Sequence, residues 1–319
     1  MPYPPPGRLV DIGTHRLHLR CDGEGTPTVV FDAALGASSL SWSLVHPAVA
    51  RVTRACVYDR AGFGWSDAGP LPRTAGRIAD ELRELLRRAD VPGPYVLVGH
   101  SFGGLVMRLF AARYATDVAG LVLIEPALPE QWAEPGEAQR ALIARGARLC
   151  GYGATAARHG LARVVSVLVR LRALGLARGL VRLVSRGGLR REDEGILAPI
   201  WRLPPEVRDV LGEMWTQPKF FEALGSQIDT ICDSALDVQR TVPAGYGRLP
   251  LVAISARSAE AWRLEADAAL ARQSARGRHV LAADSGHWVP LDAPGVVIDA
   301  IVEMVLELGP LRQDRRLHS

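Results

Sequence analysis

Four short runs, at residues 28–31, 55–58, 95–98 and 121–124, are nearly continuous stretches of Val, Leu, Ile, Ala and aromatic side chains. A strand with one wet face would alternate apolar and polar residues, so runs apolar on both faces have to be buried on both. Helical segments lie between them, and the combination specifies a parallel sheet covered by helices. The clearest helix spans residues 77–89, where Ile78, Leu82, Leu85 and Leu86 form an apolar stripe opposite a charged face and Pro92-Gly93-Pro94 stops the run. Before the first buried run, alternating segments at 8–12 and 15–20 joined by Gly13-Thr14 predict an antiparallel hairpin.

From about residue 126 to 248 the alternation lapses into helical, arginine-rich sequence, then resumes at 251–255 and 279–282 and ends in an amphipathic segment at 296–308. The expected architecture is α/β, a mostly parallel, doubly wound sheet. Its core comes from residues 1–126 and 249–319, and an inserted helical cap occupies 127–248. The polar tail after Pro310 is expected to fray.

A chain of 319 residues, 48% hydrophobic, can bury a large core. Its net charge of +4 comes from arginine, since Lys219 is the sole lysine. The arginines lack the aromatic interleaving of a nucleic-acid platform, so no nucleic-acid partner is expected. Cys21, Cys56, Cys150 and Cys232 are widely separated, without CxxC or metal-ligand spacing, which predicts neither a disulfide framework nor a metal site. With no signal-like or membrane-spanning apolar run, the expectation is a cytoplasmic protein acting on a small molecule without a cofactor. Nothing in the sequence sets an oligomeric state.

Gly99-His100-Ser101-Phe102-Gly103 sits between the apolar run 95–98 and a helical run at 105–114, the strand-turn-helix setting of a nucleophile elbow. So tight a turn strains the serine backbone and leaves no room for side chains two residues to either side. The helix start directs the Phe102 N–H at the position where negative charge would develop on a carbonyl oxygen. His287, in Asp284-Ser285-Gly286-His287-Trp288, follows the last strand and precedes a helix opening near Asp292. It can lean over the elbow as a general base. His100 should point away from the Ser101 hydroxyl.

These segments, with Tyr58-Asp-Arg-Ala-Gly-Phe-Gly-Trp-Ser66-Asp67 and Ser285-Gly-His-Trp-Val-Pro-Leu-Asp292, resemble the α/β-hydrolase superfamily, and they occur in its order. The resemblance covers about residues 9–126 and 249–308 and leaves the insertion unmatched, as a variable cap would be. It implies that residues 31–42 form the oxyanion loop, with the Leu35 N–H as second donor and Ala33-Ala34 where the family usually has His-Gly. That exchange leaves the backbone donor intact and removes a side chain that often braces the loop. Asp59-Arg60 is taken as a structural turn at a strand end.

Dehalogenases and epoxide hydrolases of this fold resemble the chain in architecture but carry aspartate at the elbow, so a serine favours acyl chemistry. The expectation is hydrolysis of an uncharged, fairly hydrophobic ester through an acyl-enzyme. Acyl transfer, perhydrolysis, carbon–carbon bond hydrolysis and a non-catalytic ligand-binding role stand as alternatives. Two carboxylates compete for the third place in the triad. Glu125 ends the run 121–124, a position that some dehalogenases of the fold use, while Glu260 lies nearer the family's usual place but begins a helix at about 259–273. Glu125 is preferred, because a carboxylate at the end of a buried strand needs a partner.

Trp132, Trp201, Trp215, Phe220 and Phe221 in the insertion would either line an apolar pocket or, the favoured reading, form the cap's own core. Val164, Val165, Leu168, Val169 and Leu171 interleave with Arg163, Arg170 and Arg172 within a stretch at 161–191. That cationic amphipathic pattern could lie on an anionic membrane, although a cap helix covering the site is the preferred account.

Overall fold

The computed structural model describes residues 3–170, 176, 180, 183–185 and 201–309. Leu171, Arg172 and most of the stretch up to residue 191, like the tail after Pro310, lie outside the described residues. Eight strands form the sheet: β1 (Arg8–Asp11), β2 (Arg16–Asp22), β3 (Thr28–Asp32), β4 (Ala55–Tyr58), β5 (Tyr95–His100), β6 (Val118–Ile124), β7 (Leu251–Ala256) and β8 (Gly277–Ala282). Their order is β1-β2-β4-β3-β5-β6-β7-β8. The β1–β2 and β2–β4 pairs are antiparallel, and all pairings from β4 to β8 are parallel. Every residue of β3, β4, β5 and β7 is buried, as their continuous apolar sequence requires.

The helices are α1 (His46–Val49), α2 (Ala75–Arg88) and α3 (Phe102–Arg113), then α4 (Pro129–Trp132), α5 (Glu137–Arg158), α6 (Leu161–Arg170), α7 (Pro205–Met214), α8 (Pro218–Asp229) and α9 (Ile231–Thr241) between β6 and β7, and finally α10 (Ala261–Arg272), α11 (Val289–Asp292) and α12 (Pro294–Leu308). Alternate strand residues feed two cores. Val30, Leu97 and Leu123 pack with α2, α3 and α10, whereas Val29, Val98 and Ile254 pack with α1 and α12. The stripe Ile78, Leu82, Leu85 and Leu86 is fully buried in the first of these.

The insertion is helical where described, and its last helix belongs to the main body. Ile231 and Val238 of α9 join the sheet-side core, and Ser234 Oγ caps α2 by accepting from the Ala75 N–H at 3.0 Å. Trp215, Phe220 and Phe221 gather around Phe63, Trp132 packs on the main core, and Trp201 is 68% exposed.

The cysteines depart from expectation. Cys21 of β2 and Cys56 of β4 are directly opposite in the antiparallel register and are joined by a disulfide, while Cys150 and Cys232 are free. Pairing depended on strand register, which spacing along the sequence does not show. With Cys21 and Cys56 joined, cysteine usage does not argue for a reducing compartment. Among the described residues no helix is long and apolar enough to cross a membrane.

Candidate active site

The chain leaves β3 towards β4 on one side and reaches β5 on the other, so the crevice at the carboxyl ends of β3 and β5 is the sheet's topological switch point. Ser101 stands there, one residue beyond β5, at φ 53° and ψ −116°. A non-glycine residue in that region carries backbone strain. Three hydrogen bonds hold it: Ser101 N–H donates to Ile124 O at 3.0 Å, and Ser101 O accepts from the N–H groups of Gly104 and Ala127 at 2.9 Å each. The flanking glycines are sterically required. A Cβ on Gly99 would lie 2.6 Å from Gly103 O, and one on Gly103 would lie 2.5 Å from Asp32 O.

Phe102 is the first residue of α3, so its N–H has no acceptor within the helix. Leu35 lies in the turn after β3, and its N–H makes no backbone hydrogen bond among the described residues.

Glu125 follows β6 with φ 42°, its N–H bonded to Ile254 O at 2.8 Å, and only 6% of its surface is exposed. One carboxylate oxygen accepts from the Ala256 N–H at 2.7 Å, and the other lies 3.3 Å from His287 Nδ1. Burial pushes the carboxyl upward, but the hydrogen bonds from His287 and Ala256 and the nearby Arg263 outweigh it and hold the group below the usual range. Glu260 stands at the N-cap position of α10 without a capping side-chain hydrogen bond, is exposed and accepts from Trp262 Nε1; among the described residues it makes no hydrogen bond to His287.

The His287 side chain is half exposed, but its loop is tied at three successive residues. Ser258 Oγ donates to Ser285 O at 2.7 Å, Gly286 N–H donates to Asp292 Oδ2 at 2.9 Å, and His100 Nε2 donates to His287 O at 2.8 Å. His100 thus points away from Ser101 as expected, towards the histidine loop. Burial, reinforced by the neighbouring His287, pushes the His100 pKa down to about 3, so it stays neutral with its proton on Nε2. Among the described residues Ser101 Oγ and His287 make no direct hydrogen bond.

The Asp59-Arg60 turn does more than end a strand. Arg60 Nε pairs with Asp32 at 2.8 Å, both residues being at most 3% exposed, and its terminal nitrogens donate to the Ala33 and Ala34 carbonyls. The same guanidinium lies 5.0 Å from the centre of the Phe102 ring. Asp59 accepts from the Ser39 N–H at 2.7 Å, from the Trp65 N–H at 3.1 Å and from His18 Nδ1 at 2.8 Å. Lys219 of α8 donates to the carbonyls of Gly64 and Ser66, and Leu224 of the same helix approaches Gly36. Arg60 therefore supplies the brace that Ala33-Ala34 lacks. The available signal was a buried-run position carrying a full charge pair; its partner, 28 residues earlier, was out of sight.

Among the described residues no cluster of three His, Cys, Asp or Glu side chains is placed to hold a metal ion. Comparison with known proteins adds the lineage. An uncharacterized protein of Schizosaccharomyces pombe is 42% identical over 93 residues, which is 29% of this chain and 17% of that protein. The matches span less than half the length of the first curated relatives. Among solved structures, an esterase from Thermogutta terrifontis superposes with a TM-score of 0.67 at 20% identity, covering 95% of this chain and all of the other. A putative epoxide hydrolase from Pseudomonas aeruginosa gives a TM-score of 0.66 at 19% identity, covering 94% and 95%. At such identity these superpositions speak for the fold alone. A family model described as the alpha/beta hydrolase fold matches residues 27–294, and the chain belongs to that family.

Proposed function

We propose that the protein is a serine hydrolase that cleaves an uncharged, fairly hydrophobic ester through an acyl-enzyme intermediate. The observation that carries this reading is the approach of buried Glu125 to His287 Nδ1 at the edge where strained Ser101 stands. In this scheme Glu125 fixes the His287 tautomer with Nδ1 protonated and offsets the charge that forms on the ring. Nε2 is then free to take the Ser101 proton as Oγ attacks the acyl carbon. The N–H groups of Leu35 and Phe102 receive the developing oxyanion. His287 returns the proton to the leaving alcohol, and water activated on the same ring releases the acid.

Residues 127–248 act as the cap in this reading, and its apolar contacts next to the crevice support a hydrophobic substrate. Leu224 meets the oxyanion loop, and Leu211 and Met214 pack with Trp288 and Leu291 beside His287. The elbow serine separates this chemistry from that of relatives with an aspartate nucleophile on the same fold.

The test is covalent labelling with a fluorophosphonate, followed by turnover of an ester chain-length series. Label is expected on Ser101 alone, with Ser101→Ala losing both label and turnover while melting as the native protein does. Label on another serine, or an active Ser101→Ala protein, overturns the assignment.

A further inference from the structure

Between Glu137 and Glu192 the sequence holds twelve arginines and no aspartate or glutamate, so this stretch carries +12 against −8 for the rest of the chain. Arginines there that find a carboxylate reach outside the stretch for it, as Arg158 does with Glu222. The same region displays apolar side chains to water. Of the twelve large apolar side chains exposed among the described residues, seven fall within 142–201. Leu161, Val164 and Val167, 39%, 48% and 51% exposed, stand three residues apart on α6 beside exposed Arg163. Leu176, Leu183 and Trp201 are more exposed still, at 69%, 75% and 68%.

We infer that the face of α6 that carries Leu161, Val164, Val167 and Arg163 docks, within this cationic stretch, on a bilayer with anionic headgroups. Guanidinium groups pair with lipid phosphates, and aliphatic side chains between them enter the boundary with the acyl chains, which is how an interfacial amphipathic helix divides its two faces. A nucleic-acid phosphate backbone would satisfy the arginines but would leave the exposed Leu and Val side chains in water. Among the described residues no helix is long and apolar enough to cross a membrane, and the inference is of docking at the surface.

The face is also linked to the candidate site. Helix α6 packs on α7, whose Leu211 and Met214 share a core with Trp288 and Leu291 on either side of the segment that follows His287. An ester held in a bilayer would thus meet the cap before the crevice. Docking itself needs no hydrolysis, so it is measured on the Ser101→Ala protein, and its outcome is independent of the serine-hydrolase reading.

Full-length Ser101→Ala protein would be sedimented with vesicles of phosphatidylcholine alone or mixed with phosphatidylglycerol, at low and high salt. Binding is expected only to the mixed vesicles, and it should fall as salt rises. Replacing Leu161, Val164 and Val167 together by serine should weaken binding at low salt on the order of tenfold or more, with helix content checked by circular dichroism. The inference is overturned if mixed vesicles fail to bind at low salt, or if the triple variant binds as well as its parent. Retention on duplex DNA at salt that releases the vesicles would also overturn it, and would assign the face to nucleic acid.

Discussion

Ser101 and the two loops beside it meet at one edge of the sheet, but they are held there differently. The serine turn is fixed by backbone alone: glycines at 99 and 103, the start of α3, and main-chain bonds to Gly104 and, across to β6, to Ile124 and Ala127. The loop after β3 and the His287 loop have turn bonds of their own, such as Ala37 N–H to Ala34 O and Leu291 N–H to Trp288 O, but are also tethered by side chains from elsewhere. Arg60 and Asp59 hold the first at both ends; Glu125 and His100 hold the second by its ring and its carbonyl. A turn held by glycines and backbone bonds tolerates side-chain changes elsewhere, whereas a loop hung on distant side chains is only as well placed as those side chains. Cutting the tethers one at a time tests this contrast.

The largest effect is expected at Glu125. In Glu125→Gln the amide can still bond the Ala256 N–H but no longer offsets charge on His287, and the ring can settle in the wrong tautomer. Turnover should fall on the order of 10⁴-fold with little change in KM. Glu260→Gln alters an exposed carboxylate that bonds Trp262 and should leave kcat within about twofold. A crippled Glu260→Gln enzyme beside a near-native Glu125→Gln enzyme would move the acid to the later strand and break the tether account for His287.

Arg60 comes next. Replacing it with methionine leaves buried Asp32 without its countercharge and two loop carbonyls without donors, a change that typically costs about 3–5 kcal/mol. Urea unfolding measures that cost. The double variant Arg60→Met with Asp32→Asn should recover part of the stability, because no lone buried charge remains. It should not recover turnover, since the oxyanion loop still lacks its brace and a misplaced donor costs on the order of 10²-fold or more. If turnover returns together with stability, Arg60 serves only the fold.

The same contrast explains what the sequence disclosed. The sheet, the stripe on α2 and the elbow are written in local periodicity and in glycine spacing, so the strands at 28–31, 55–58, 95–98 and 121–124 were legible to within a few residues. The position of Glu125 was legible because a carboxylate at the end of a buried strand is costly without a partner. Arg60 with Asp32, His100 with the His287 carbonyl, and Cys21 with Cys56 were not. Each pair joins residues separated by 28, 187 and 35 positions, and only the folded register brings them together. The packing of α9, within the helical insertion, on the main core has the same cause: its apolar face looks alike whether it covers a pocket or a sheet.

The smallest effect separates a tether from a titration. His100 is neutral in the folded protein, with a pKa pushed down to about 3, whereas in the unfolded chain it would titrate near the usual histidine value of about 6.5. Between those values the unfolded chain binds the extra proton, so stability is fully present above pH 6.5 and is lost as pH falls towards 3. At pH 5 the loss from this group is about 2 kcal/mol. His15 and His46 are also held down by burial and act in the same direction, and Glu125 and Asp59, held low, add their own loss only in the more acidic carboxylate range. A single acid profile therefore mixes several groups, and the informative quantity is the difference between two proteins. His100→Gln keeps a side-chain N–H for the His287 carbonyl but cannot titrate. Unfolding measured from pH 7 to 5 should be flatter for that variant by about 2 kcal/mol, while its kcat at pH 7 stays within a few fold of native. Parallel stability profiles would mean that His100 is not kept neutral by the fold, and a collapse of kcat with the donor retained would mean that the imidazole ring itself, packed 5.1 Å from His287, places the histidine loop.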